Sequence, residues 1–116
     1  MHDEKAYNYR QVKLLENKII SFKQGKIKLS NFINDLEAIF YCLKNPPKSV
    51  RKDFVHWWSN LESVYANMAY EERSFLDQDD IRILNEAVEN LERITKDYKK
   101  ATFTEDEIFK FEYIDT

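Results

Sequence analysis

The chain has few of the residues that build turns. Its 116 residues include one glycine and two prolines. Sheet proteins need many tight turns and lean on glycine, proline and asparagine for them, so a few long helices are expected. Cysteine is nearly absent. Cys42 alone cannot form an intramolecular disulfide or a cysteine zinc cluster, and its place on an apolar helix predicts a small buried hydrophobe. No run of about 18 apolar residues occurs, so no membrane-spanning helix is expected. The opening MHDEKAYNYR lacks the apolar segment of a signal peptide, and a cytoplasmic location without membrane contact is the expectation. Also missing are a glycine-rich phosphate loop, a nucleophile–base–acid set and the central glycine of an EF-hand loop. No catalytic residue, no cofactor and no metal ligand are expected.

What is present suits one small domain. The composition is 43% hydrophobic and 15% aromatic, unlike that of a disordered chain. A chain of this length buries roughly 65% of its unfolded surface, enough for its own core. The net charge of −3 hides a division. Residues 1–60 hold 11 Lys/Arg and 6 Asp/Glu, and residues 61–116 hold 7 and 15. The acid gathers in EERSFLDQDD (71–80) and in the tail ATFTEDEIFKFEYIDT (101–116). Such patches steer basic partners and repel nucleic acid. Lys5, Arg10, Lys13, Lys18, Lys23, Lys26 and Lys28 are interleaved with apolar positions and read as the solvated edge of a helix, so no nucleic-acid partner is expected.

Apolar spacing predicts four helices. Val12, Leu15, Ile19 and Phe22 recur at helical intervals between about Glu4 and Gln24, and Gly25 follows where a left-handed cap belongs. Ser30 is placed to cap a second helix with Phe32 or Ile33, Leu36, Ile39 or Phe40, and Leu43 on its stripe. Asn45-Pro46-Pro47 ends it. From about Lys48, the residues Val50, Phe54, Trp57, Leu61, Val64 and Met68 form a near-heptad seam. Asp77 or Asp79 can cap a fourth helix with Ile81, Leu84, Val88, Leu91 and Tyr98 on its seam, and Ile94 or Thr95 between. Short links make sequential helices antiparallel neighbours. The expectation is an all-α protein, a four-helix up-down bundle over residues 1–100, with an acidic aromatic tail, 101–116, docked on it. Thr104 with Glu107 makes a capping box and argues that the tail is a helix. The alternation of Phe109, Phe111 and Tyr113 argues for a strand.

The adjacent tryptophans at 57 and 58 cannot both centre one stripe, because neighbours on a helix point about 100° apart. Trp57 belongs to the seam. Trp58, with Tyr65 on the same flank, either packs against a neighbouring element or lies open as a binding anchor. His2 reads as inert. Arg51 and His56 in RKDFVH resemble the Arg-x4-His ribonuclease motif of the HEPN superfamily. That resemblance implies a dimeric ribonuclease in which Arg51 stabilises phosphate and His56 is acid or base. Lys52 departs from the family's pattern, and two solvated residues on a helix flank is the simpler reading.

Three longer segments, LENKIISFKQGKIKLSNFINDLEAIFYCL, DFVHWWSNLESVYANMA and ILNEAVENLERI, resemble the small helical immunity proteins of contact-dependent growth inhibition and related polymorphic toxin systems. The resemblance covers about residues 12–95. It implies a bacterial toxin inhibitor that binds a cognate toxin domain, commonly a basic nuclease, in the cytoplasm and blocks its active site without chemistry of its own. Acidic residues suit such a partner by charge. Glu71, Glu72, Asp77, Asp79, Asp80, Glu105, Asp106 and Glu107 are the expected contacts, with Trp58 and Tyr65 as anchors. A non-enzymatic adaptor bundle that dimerises through the third-helix flank is the remaining alternative.

Overall fold

A computed structural model describes residues 3–114; His2 lies outside them. The protein is an all-helical bundle of α1 (Glu4–Lys23), α2 (Leu29–Cys42), α3 (Lys48–Tyr70), α4 (Gln78–Thr102) and α5 (Glu105–Tyr113). Local chemistry sets most of these boundaries. Asp3 caps α1 by accepting from the amides of Lys5 and Ala6. Gly25 takes φ +72 in the turn that closes it, with Lys26 N bonded to Ser21 O and Gly25 N to Phe22 O. This six-to-one and five-to-two pairing satisfies carbonyls that the helix end leaves free. Asp77 caps α4 and Thr104 caps α5, each in a reciprocal capping box, with Asp80 and Glu107 respectively.

Two expected features differ at α2. Lys28, not Ser30, is the N-cap. Leu29 packs partly buried against the core, and the amide of Phe32 already bonds Lys28 O, so anchoring of the leucine starts the helix earlier. Cys42 is exposed, because it lies about 200° around the helix from buried Phe40. The chain then leaves α2 under the control of a buried polar side chain. Asn8 Nδ2 donates to Lys44 O at 2.8 Å, and Lys44 N donates back to Asn8 Oδ1 at 2.9 Å.

Every helix of the first four packs against two others: α1 on α2 and α4, and α3 on α2 and α4. Val12, Leu15, Ile19, Phe32, Leu36, Phe54, Leu61, Val64 and Leu91 are buried in the shared core, with Phe22 stacked on Phe32 and Phe40 on Phe54. Both Ile94 and Thr95 are buried, the threonine by donating its hydroxyl to Leu91 O. Lys99 pairs with Glu16 and Lys23 with Glu92. As α1 advances from 16 to 23, α4 retreats from 99 to 92, so these two helices run antiparallel and α1 ends about halfway along α4. The α3–α4 hairpin therefore continues beyond the α1–α2 end, which fits a molecule of 50 × 28 × 22 Å. Ile81, expected on the seam, is 45% exposed for this reason.

The tail is a helix, which settles its two competing patterns in favour of the capping box. Its helical period scatters the alternating aromatics: Phe111 is buried against Tyr9 and Phe103, whereas Phe109 and Tyr113 face solvent. Polar ties reinforce this dock. Lys5 pairs with Glu107 at 3.0 Å and Lys13 with Glu112 at 3.2 Å, and the Tyr9 hydroxyl donates to Glu112. Burial and the adjoining carboxylate push the Tyr9 hydroxyl above its ordinary range.

Candidate functional site

The expected contact residues fall into three places. α4 has 25 residues and is about 37 Å long at 1.5 Å per residue. The 71–80 segment runs into its first turn, which holds Asp79 and Asp80, and Glu105, Asp106 and Glu107 follow its last. The two acidic stretches, joined in the expectation as one binding set, stand at opposite ends of the molecule. Glu107 is partly spoken for: the Thr104 amide and then the Lys5 ammonium hold its carboxyl below the usual range. Trp58 is elsewhere again. It is half-buried, and its indole N–H donates to Ile33 O at 2.9 Å, so it ties α3 to α2 and is no free anchor. Its partner Trp57 also packs partly buried against the core.

The tip of the α3–α4 hairpin is the most distinctive surface. α3 ends in the same hydrogen-bonded turn as α1, with Arg73 N bonded to Met68 O and Glu72 N to Ala69 O. The left-handed position that Gly25 fills after α1 is held here by Glu72 at φ +53. A side chain there costs on the order of 1 kcal/mol relative to glycine.

Arg73 then organises the loop. Its guanidinium donates from Nη1 to Asp80 Oδ2 at 2.6 Å and to Phe75 O at 3.2 Å, and from Nε to Glu71 Oε2 at 2.5 Å. Asp80 Oδ2 also accepts from the Asp77 amide. Arg73, and then that amide, keep the Asp80 carboxyl below the usual carboxylate range. With 6% exposure, Asp80 is a structural residue and not a surface contact. Asp77 serves as the N-cap. Glu72 and Asp79 remain as exposed carboxylates, Asp79 with only a long 3.7 Å approach to Arg82.

Apolar side chains stand in water among these carboxylates. Tyr70 is 89% exposed and Phe75 63%, with Leu76 and Ile81 also exposed; Tyr65 is exposed too, but further back on α3 and about 140° around it from Tyr70. Tyr70, Phe75 and Leu76 escaped the sequence reading because they sit in or beside a polar loop, where neither period applies. The available signal was two large apolar residues, Phe75 and Leu76, inside a segment otherwise polar.

Arg51 and His56 are both exposed on the N-terminal half of α3. Five helical residues apart, they point about 140° away from each other. His56 rests its ring edge-on against Trp57. The groove between the start of α3 and the end of α4 is lined by Val50, Asp53, Asp97 and Tyr98, among others, and by neither of them.

Among the described residues, no group of three or more His, Cys, Asp or Glu side chains is arranged to hold a metal ion, and no helix is long and apolar enough to cross a membrane. No family model, no curated protein and no solved structure matches this chain.

Proposed function

We propose that the protein is a non-catalytic inhibitor of the immunity type, which neutralises a basic toxin domain of nuclease class by docking the α3–α4 tip on it in the cytoplasm. One observation carries this reading: Tyr70, Phe75 and Leu76 stand exposed beside the carboxylates of Glu72 and Asp79, on a loop that Arg73 holds in one shape. Aromatic side chains are frequent binding anchors. A loop already ordered loses little entropy on binding. Carboxylates around the anchors draw a cationic surface toward them and speed association. The class of partner comes from the resemblance of residues 12–95 to immunity proteins, and the acidic tip supports it by charge.

The experiment is growth of bacteria that co-express this protein with the toxin-like domain encoded beside its gene. The expected result is rescue, lost on Phe75→Ala combined with Glu72→Lys and Asp79→Lys, and retained in Arg51→Ala, His56→Ala. Killing that continues with the wild-type protein present overturns the reading. Toxicity of this protein alone, abolished by the Arg51, His56 pair of substitutions, replaces it with the ribonuclease.

A further inference from the structure

The charges of α3 oppose its own dipole. A helix favours acids near its N-terminus and bases near its C-terminus. α1 begins with Glu4 and ends with Lys23, α4 begins with Asp79 and Asp80 and ends with Lys99 and Lys100, and α5 begins with Glu105, Asp106 and Glu107. α3, like α2, has no acid in its first turn, no base in its last and no side-chain cap. Lys48, Arg51 and Lys52 stand at its N-terminal end, exposed and, among the described residues, without an ion pair. Glu71 and Glu72 stand just past its C-terminal end, both exposed, with Glu71 also paired with Arg73.

Between these ends the outward side of α3 is open. Lys52, Ser59, Ser63, Ala66 and Tyr70 are all exposed, on the side of the helix away from buried Phe54, Leu61 and Val64. The short side chains in the middle leave room for another backbone to come close. A face that is positive at one end and negative at the other is complementary to itself when turned end for end.

We infer that the outward face of α3 is a homodimer interface, in which the α3 helices of two copies pack antiparallel about a two-fold axis near residues 59–63. The Lys52 end of each copy, with Arg51 at its edge, then faces the Glu71–Glu72 end of the other, and the two helix dipoles oppose. The occupant is a second copy because this one chain carries both required charges, in the reverse order that a two-fold axis demands. Such an interface is isologous and closes at two subunits. α3 has 23 residues, so the contact is a strip about 34 Å long. That lies at the low end of specific interfaces, and the dimer is weak and loosened by salt. The inference does not rest on the toxin reading. It does make the two compete, because Tyr70 and Glu72 belong to both surfaces.

The test is sedimentation velocity of the full chain over a range of concentrations, at about 0.02 M and about 0.5 M salt. At low salt a species of twice the 14.0 kDa chain mass is expected to grow with concentration, with a dissociation constant at least tenfold higher at high salt. Arg51→Glu with Lys52→Glu is expected to be monomeric, with a thermal midpoint no lower than that of the wild-type chain, since acids suit this end of the helix. Glu71→Lys with Glu72→Lys is expected to be monomeric as well. Mixing the two variants restores the dimer, because an all-acidic face then meets an all-basic one at both ends. Should loss of the Glu71–Arg73 pair unfold the second variant, Glu72→Lys alone takes its place in the mixture. A wild-type chain that stays monomeric at low salt, a dimer that survives both reversals, or a mixture that fails to associate overturns the inference.

Discussion

Glu72 and Gly25 occupy the same position in the same kind of turn, and they differ in what each is for. Gly25 relieves the left-handed backbone. Glu72 accepts that strain and leaves a carboxylate on the hairpin tip. Residues that keep a costly backbone conformation are enriched at functional sites, and relieving it exchanges function for stability. Glu72→Gly is therefore expected to raise unfolding stability by about 0.5–1 kcal/mol, read by urea denaturation, while slowing association with a basic partner. Asp80 makes the opposite kind of contribution. Its folded carboxyl titrates below the usual range, so the unfolded chain binds its proton more readily. The stabilisation is fully present above the unfolded value near 4 and is lost as pH falls through the folded one. Asp80→Asn should lower the thermal midpoint at neutral pH and flatten its decline in acid. An unchanged acid limb would show that Arg73 does not hold this carboxylate. Trp58→Phe keeps a ring but loses the donor to Ile33 O, and should cost about 1 kcal/mol in the same denaturation assay.

At the level of elements, α5 shows a short helix stabilised by its surroundings. Nine residues are too few to hold a helix in water on their own. The capping box at Thr104 and Glu107, the burial of Phe111 and the ties to Lys5, Tyr9 and Lys13 supply what length does not. Thr104→Ala should cost about 1 kcal/mol and speed amide exchange in α5, with exchange in α2 unaltered. The capping box was legible in the sequence because it depends on two residues three apart. The docked face was not, since alternation at 109, 111 and 113 suggests a strand until the cap commits the segment to a helical period.

Across the whole molecule, the length of α4 decides which acids can act together. The 71–80 loop and the 105–107 turn lie at its two ends, about 37 Å apart along the axis. Glu72→Lys with Asp79→Lys should slow association with a basic partner at low salt by tenfold or more, because steering falls steeply when the local field reverses. Glu105→Lys with Asp106→Lys should leave that rate within a factor of two, as read by stopped-flow kinetics. Equal slowing by both pairs would mean that the partner spans the bundle or docks on its other end.

Local periodicity determined a great deal here. Val12, Leu15, Ile19, Leu36, Phe54, Leu61, Val64, Leu84 and Leu91 were assigned to the core from spacing alone and are buried, since a helix period translates directly into one covered face. Gly25, Asn45-Pro46-Pro47, Asp77 and Thr104 marked the ends of helices because capping and steric exclusion act within a few residues. Tertiary structure decided what depends on distant chain. It exposed Ile81, because α1 stops short of it. It turned Trp58 into a brace through a carbonyl on α2, and made Asp80 a partner of Arg73 instead of a surface charge. It also put the two acidic stretches at opposite ends. Each of these outcomes follows from helix lengths and from which side chain lies across the bundle, and neither quantity is written in any single window of sequence.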